Sequence, residues 1–207
     1  MLSRRSLLAV AALMLASPPA GAADDPLDGL LARIARARAP LRTLQGPFTQ
    51  TRTLALLSTD VRSTGTLALV RPDRLRWELA PPDAVTFFVG PEGLAYRSPH
   101  GQGRMPAGGG GIARALDDLR TLLGGDLGRL RERWDMRVVR DDAGGAEIDA
   151  VARQGIASSL RGFRFALTPD LVRPTHAVLV DGPHDRTVVE FGTLVVDHPI
   201  DLARMRP

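Results

Sequence analysis

Residues 65–99 of the chain read GTLALVRPDRLRWELAPPDAVTFFVGPEGLAYRSP. Successive side chains of an extended strand point to opposite faces, so apolar residues at every second position predict a strand with one apolar face. The stretch follows this pattern on both sides of Pro72-Asp73, a pair that favours a turn. An antiparallel pair of strands is therefore predicted, with one face made of Leu67, Leu69, Leu75 and Trp77.

The alternation continues after a second turn signal at Pro81-Pro82-Asp83. Phe87 and Val89 follow with the spacing of a strand, and beyond Gly90-Pro91 the chain returns through Leu94 to Tyr96. The whole stretch predicts an antiparallel meander with an apolar concave face.

Arg71 keeps the spacing of the apolar face although it is charged. Two interpretations are open from the spacing alone. Either the turn at Pro72 reverses the alternation and Arg71 is a solvated corner residue, or its guanidinium lies at the mouth of an apolar cavity. In the second case it needs hydrogen-bond partners, because an unpaired buried charge is too costly.

Short motifs occur in a fixed order in and around this stretch: Phe48-Thr49-Gln50, Gly65-Thr66-Leu67, Arg71-Pro72, Trp77, Pro82-Asp83 and the strand from Leu94 to Pro99. In order and in approximate spacing they resemble the LolA family, the periplasmic carriers that move lipoproteins to the outer membrane. The remainder of the chain matches the family only in outline.

The resemblance implies a mainly β fold with helices (α+β). Its sheet is a large, incompletely closed antiparallel β-barrel of about 10–11 strands, capped by about three helices and enclosing an apolar cavity. The concave face of such a fold would bind acyl chains. In this sequence the corresponding ligand-binding residues are Phe48, Leu67, Leu69, Arg71, Leu75, Trp77, Phe87, Val89, Leu94 and Tyr96.

The resemblance also implies a lid made of the helices at about 112–133, which would fill the cavity when no cargo is bound. Arg71, at the Arg-Pro motif, would then be the latch that holds this lid through carbonyl groups at its helix ends. An ordinary packed helix is the alternative interpretation of the same segment. The lid residues would be Ile112, Leu116, Leu119, Leu122 and Leu123.

The first helix is indicated by residues 27–41, whose apolar positions follow helical spacing after Asp25-Pro26. We expect it to lie on the sheet and to end near Pro40. Its arginines are assigned mostly to the solvent side: Arg33, Arg36, Arg38 and Arg42.

The glycine-rich stretch 101–111 predicts a mobile hinge. Behind it, leucines at helical spacing predict a helix whose opposite face carries charged residues exposed to solvent. Gly124-Gly125 ends this helix, and Asp126 is expected to cap a short second helix that runs to Arg133.

The remaining strands are predicted from alternation and turn signals. A first strand at 44–57 pairs with 61–70. Further strands are expected at 136–140, 147–151, 161–167, 175–180 and 186–196.

The composition suits one secreted domain. The chain has 207 residues, 44% of them hydrophobic, which is enough for one core over residues 23–207. Residues 1–22 carry two arginines, a short apolar run and an A-x-A site, so they predict a cleaved signal peptide, by the general or the twin-arginine route, and a soluble protein of the Gram-negative periplasm. The chain holds no cysteine, which excludes a lipid anchor on an N-terminal cysteine.

Catalysis and nucleic-acid binding are not indicated. The net charge of +4 comes from arginines scattered among acidic residues, without a basic stripe. Cysteine and lysine are both absent, and no G-x-S-x-G or H-E-x-x-H motif occurs. The sequence around His184, DGPHD at 181–185, is typical of a polar hairpin turn rather than of a metal site. We therefore predict no enzyme activity, no cofactor and no metal.

Two classes of function remain. The first is a monomeric carrier of lipid cargo. Its cargo is lipoproteins, with an inner-membrane ABC-type exporter and an outer-membrane acceptor as partners, or alternatively another envelope lipid or glycolipid. The second is an envelope lipid sensor or an enzyme built on a similar sheet. The carrier is favoured because a sensor needs a second domain and an enzyme needs convergent polar groups in the cavity.

Overall fold

The computed structural model describes residues 25–54, 59–106, 111–124, 126–155 and 160–207, and the side chains of residues 111 and 112 lie outside this description. The predicted signal peptide, the 107–110 part of the glycine-rich stretch and the side chain of Ile112 are therefore not among the described residues.

Within these ranges the chain forms two α-helices, two short 3-10 helices and twelve strands. The helices are α1 (Pro26–Arg38) and α2 (Gly111–Gly124), and the 3-10 helices are Leu127–Glu132 and Leu202–Met205. The strands are β1 (Thr43–Leu54), β2 (Thr59–Val70), β3 (Arg74–Leu79), β4 (Thr86–Gly90), β5 (Gly93–Ser98), β6 (Gly101–Pro106), β7 (Trp134–Asp142), β8 (Gly145–Ala152), β9 (Gly162–Leu167), β10 (Pro174–Val180), β11 (Arg186–Phe191) and β12 (Val195–Val196).

All twelve strands belong to one antiparallel sheet. Its order is β6-β5-β4-β3-β2-β1-β11-β10-β9-β8-β7, and β12 pairs with β1 beside this path. The sheet is not closed, because β6 and β7 lie at its opposite ends. The predicted fold class, an incompletely closed antiparallel sheet with helices, is confirmed.

The strand register gives the sheet one continuous apolar face. Residues paired across antiparallel strands lie on the same face. In the first half of the sheet Leu67 pairs with Trp77, and Trp77 pairs with Phe87. In the second half Phe165 pairs with Ile148 on one side and with Ala177 on the other. We call this the inner face, because its buried residues form one cluster with apolar residues of both α-helices.

The helix α1 covers the inner face from one side and keeps an opposite side in water. The Asp25 carboxylate accepts a hydrogen bond from the Leu27 amide at 3.0 Å, and Pro26 occupies the first turn, where its missing N–H costs nothing. Leu27, Leu30 and Ile34 are buried. The predicted start, apolar face and end of this helix agree with the structure.

The glycine-rich stretch is a strand over its first six residues, so the prediction of a hinge at 101–111 is wrong there. Residues 101–106 pair with β5 along their whole length. Gly103 lies opposite Tyr96, and a Cβ at Gly103 would be 2.6 Å from the tyrosine ring. The glycine is therefore needed to seat an aromatic ring, a packing reason that composition cannot distinguish from flexibility.

Two other differences concern the ends of elements. The predicted strand 186–196 is interrupted at residues 192–194, where the chain passes so close to β1 that a Cβ at Gly46 would lie 2.7 Å from the Thr193 carbonyl oxygen. Asp126 stands directly before the 3-10 helix Leu127–Glu132 but makes no capping hydrogen bond with its side chain.

We expect any residue larger than glycine at position 65 to destabilise the fold, because the packing there is close. A Cβ there would lie 2.1 Å from the Glu78 carbonyl oxygen and 2.5 Å from the Phe48 ring. Gly65→Ala should lower the free energy of unfolding by about 1–3 kcal/mol, the usual cost of overpacking. Urea unfolding followed by circular dichroism measures it.

The matched control is Gly29→Ala on α1, where nothing lies within 4 Å of the added Cβ. It should raise the free energy of unfolding by about 0.5–1 kcal/mol, because alanine is the better helix former. Equal effects of the two substitutions would contradict the packing of β1 against β2 and β3.

Candidate functional site

An aromatic group lies at the centre of the inner face. The rings of Phe48 and Trp77 are stacked with centroids 3.8 Å apart, and the Phe191 ring meets Trp77 edge-on at 6.4 Å. The rest of the predicted apolar set lies on the same face. Leu67, Leu69, Leu75, Val89 and Leu94 are buried, whereas Phe87 and Tyr96 are half-buried.

The helix α2 is more deeply buried than α1. Its leucines are buried and its polar face is only partly in water: the Asp117 side chain is 44% exposed, whereas Arg114 and Arg120 are half-buried. Its leucines join the cluster of the inner face. The buried members include four of the predicted lid residues: Leu116, Leu119, Leu122 and Leu123.

The charged side of α2 is only partly solvated, which corrects the expectation of a fully solvated face. Asp118 is 3% exposed and forms an ion pair with Arg133 at the end of the following 3-10 helix. Arg120 is paired with Asp117 at 2.7 Å, and the Thr121 hydroxyl donates to the Asp117 carbonyl oxygen at 2.9 Å. These polar contacts allow α2 to be buried, because its charged groups have partners.

A buried arginine joins α1 to the end of α2. Arg38, 1% exposed, donates from Nε to the Leu171 carbonyl oxygen at 3.0 Å. Its Nη1 donates to the carbonyl oxygens of Leu122 at 2.5 Å and Leu123 at 3.4 Å. These two carbonyls belong to the last turn of α2, where backbone oxygens lack helical partners. The Arg38 guanidinium also lies 5.8 Å from the centre of the Phe165 ring on the inner face.

The surroundings of Arg38 lower its pKa from the ordinary value to about 9. Burial is the largest cause, and the nearby charge of Arg71 acts in the same direction, while Asp170 opposes them. A pKa of about 9 still leaves the group protonated at neutral pH. The interior at this point therefore holds a cation whose hydrogen-bond acceptors are backbone carbonyls.

Among the described residues, the hydrogen bonds of Arg71 go to the end of α1 and not to α2, which contradicts the predicted latch. Arg71 is half-buried and donates to the Arg38 carbonyl oxygen and, at 3.3 Å, to the Leu41 carbonyl oxygen. Both oxygens lie at or just beyond the end of α1. Arg71 therefore supports the segment that carries Arg38, and Arg38 makes the bonds to the helix end that were assigned to Arg71.

The burial of Arg38 could have been found in the sequence. Leu27, Leu30, Ile34 and Arg38 are separated by three, four and four residues, the spacing of a single helix face. Arg38 was assigned to the solvent side because arginines are usually exposed. The spacing was the better signal.

Within the described residues, no three His, Cys, Asp or Glu side chains come together in a metal-binding group. Residues 181–185 form the expected turn, closed by a bond of 3.0 Å from the Asp181 amide to the Asp185 carbonyl oxygen.

Residues 39–100 match the family model described as outer membrane lipoprotein carrier protein LolA. The resemblance to the LolA family is confirmed. The matched residues run from the end of α1 to the turn before β6, and they contain the stacked rings of Phe48 and Trp77 and the half-buried Phe87 and Tyr96. No curated protein is similar enough in sequence to match this chain.

Solved structures share the fold with this chain at low sequence identity. An uncharacterized conserved protein from Thermus thermophilus has a TM-score of 0.53 and 10% identity, over 86% of this chain and 91% of that one. A DUF1329 family protein from Desulfovibrio piger has 0.52 and 8%, over 88% and 98%. The LolA superfamily protein NE2245 from Nitrosomonas europaea has 0.50 and 8%, over 87% and 97%. At such identities these likenesses describe the fold alone.

Within the described ranges, no helix is long and apolar enough to cross a membrane.

We expect Arg38, rather than Arg71, to hold the end of α2. Arg38→Leu leaves the carbonyls of Leu122 and Leu123 buried without a donor, so it should lower the free energy of unfolding by about 2 kcal/mol. It should also speed amide hydrogen exchange at residues 121–124, measured by mass spectrometry.

Two variants serve as controls. Arg36→Leu changes an exposed arginine of the same helix and should leave exchange in α2 unaltered. Arg71→Leu should act mainly on residues 38–42. Faster exchange at 121–124 in Arg71→Leu with none in Arg38→Leu would restore Arg71 as the latch.

Proposed function

We propose that this protein is a periplasmic carrier that shields the acyl chains of lipoproteins or other envelope lipids between the inner and the outer membrane. The observation that carries the proposal is the packing of the α2 leucines on the inner face. A leucine face packed against an apolar sheet occupies a space that another apolar body can take. The arrangement described above then corresponds to the closed state of the carrier.

The free energies of burying an acyl chain and of burying the α2 leucines support a carrier that also releases its cargo. Each buried CH₂ group contributes about 0.8 kcal/mol, so an acyl chain of about 15 such groups gains roughly 12 kcal/mol on leaving water. Four leucine side chains gain about 6–12 kcal/mol together when they are buried. The leucines of α2 therefore offset the burial of up to about one acyl chain, which lowers the net affinity for cargo and favours its release.

The family match supports an acylated cargo of the cell envelope, since the described family is that of outer membrane lipoprotein carriers. The residues proposed to contact the chains are the aromatic group and its apolar neighbours on the inner face. The proposal includes a signal peptide at residues 1–22, an inner-membrane ABC-type exporter as donor and an outer-membrane acceptor. It includes no catalytic step. The Ser63 hydroxyl is a buried polar group on the inner face, and it donates a hydrogen bond to the Asp83 carboxylate in the turn before β4.

Trp77 offers a direct test, because the chain has only two tryptophans. Trp134→Phe leaves Trp77 as the single reporter, and the buried Trp134 Nε1 has no hydrogen-bond partner among the described residues that the substitution could remove. Lipids with brominated acyl chains quench a tryptophan that they touch. We expect them to quench Trp77 strongly and unbrominated lipids of the same length to leave it bright.

The same samples test the displacement of α2. Amide hydrogen exchange over residues 113–124 should become faster when lipid binds, while α1 keeps its protection. Quenching without a change in α2 would mean that lipid binds beside a fixed helix. The absence of quenching would refute the inner face as the lipid site.

A further inference from the structure

Arg38 has an incomplete set of partners in the closed state. Its Nη2 is buried and finds no hydrogen-bond acceptor among the described residues. Its other bonds go to the backbone carbonyls of Leu122, Leu123 and Leu171, and none of its described bonds goes to a carboxylate. A guanidinium has five N–H donors in a planar fork that fits two oxygens of one oxyanion.

The charges around Arg38 leave this point of the interior positive. Arg71 donates to the Arg38 backbone carbonyl, and its charge acts on the Arg38 guanidinium. The nearby carboxylate, Asp170, is already engaged by the Thr168 hydroxyl at 2.5 Å, the Val172 amide at 2.9 Å and the Arg173 guanidinium. Two cations thus share a region in which the acidic group has other partners.

The end of α2 supplies the negative charge that Arg38 lacks. The last carbonyl oxygens of a helix carry the negative end of its dipole, equivalent to about half an elementary charge. The oxygens of Leu122 and Leu123 are such groups. If an acyl chain displaces α2, Arg38 loses both oxygens while it stays in an apolar environment, and an unpaired buried cation is costly.

We propose that Arg38 is the head-group site of this carrier and that its preferred cargo is a lipid with a phosphate-type oxyanion next to the acyl chains. This inference rests on the proposed function. When the lipid enters, its acyl chains replace the leucines of α2, and its oxyanion replaces the carbonyl oxygens at the end of that helix. A lipid with a neutral head fills the apolar space but leaves Arg38 without an acceptor.

The test compares two probes with identical dibrominated acyl chains, phosphatidic acid and diacylglycerol, by quenching of Trp77 in the Trp134→Phe protein. Phosphatidic acid should bind at least about tenfold more tightly, the difference expected from one charged hydrogen bond. Arg38→Gln should remove this preference and keep diacylglycerol binding. Arg38→Lys retains the charge and should retain a part of the preference.

Arg36→Gln, on the exposed side of α1, is the control for the general effect of removing a positive charge, and it should keep the full preference. Circular dichroism and thermal unfolding establish that each variant is folded before lipid is added. If Arg38→Gln does not fold, the head-group site is still tested in two ways. One is Arg38→Lys, and the other is the comparison of the two lipids in the Trp134→Phe protein that retains Arg38.

The outcomes are distinct for the two proposals. Quenching by neither lipid refutes the carrier itself. Equal binding of both lipids, or a preference that survives Arg38→Gln, overturns the head-group site and leaves the carrier standing. Inorganic phosphate should not displace phosphatidic acid, because the site opens only when acyl chains displace α2. Displacement by inorganic phosphate would show a site for free anions and would overturn the lipid assignment.

Discussion

A sheet with one continuous apolar face has to cover that face, because each apolar group left in water costs stability. Here the face extends along the sheet from Leu94 in β5 to Val138 in β7. The helix α1 covers part of it in the ordinary way, with one side on the sheet and one side in water. The helix α2 covers the rest with its leucines, and its polar side is only partly in water. These leucines are the part of the cover that the proposed function replaces by cargo.

The polar contacts of α2 belong to the same arrangement. A helix that ends inside a protein has carbonyl oxygens without partners, and Arg38 is a buried cation without a bonded carboxylate among the described residues. The Arg38 guanidinium and these carbonyl oxygens form hydrogen bonds with each other only while α2 is in place. The cost of removing the Arg38 charge from water offsets part of what its hydrogen bonds contribute to stability. Arg38 can therefore exchange the carbonyl oxygens of α2 for another acceptor. The packing of α2 and the hydrogen bonds of Arg38 depend on each other at this helix end.

Some predictions made from the sequence are wrong, and the reasons are physical. Alternation correctly assigned the apolar face of β2 and β3, because side chains of a strand must alternate. The glycines at 101–106 were interpreted as flexibility, whereas Gly103 makes room for the Tyr96 ring. Asp118 was assigned to solvent from its position on the helix, yet it is buried and paired with Arg133 from the next element. In both cases the deciding neighbour lies in another part of the chain, which local patterns do not contain.

The sequence by itself determined the class of fold, the apolar face from Leu67 to Tyr96, the leucines of α2 and the absence of cysteine chemistry, because periodicity and composition are local properties. Only the tertiary structure decided which arginine meets the end of α2. Arg38 and Arg71 both follow apolar positions in sequence, and both bond backbone carbonyls. Which carbonyls each one meets depends on the crossing of α1, α2 and the turn after β2. The three segments are distant in sequence, and only the packing of the helices on the sheet brings them together.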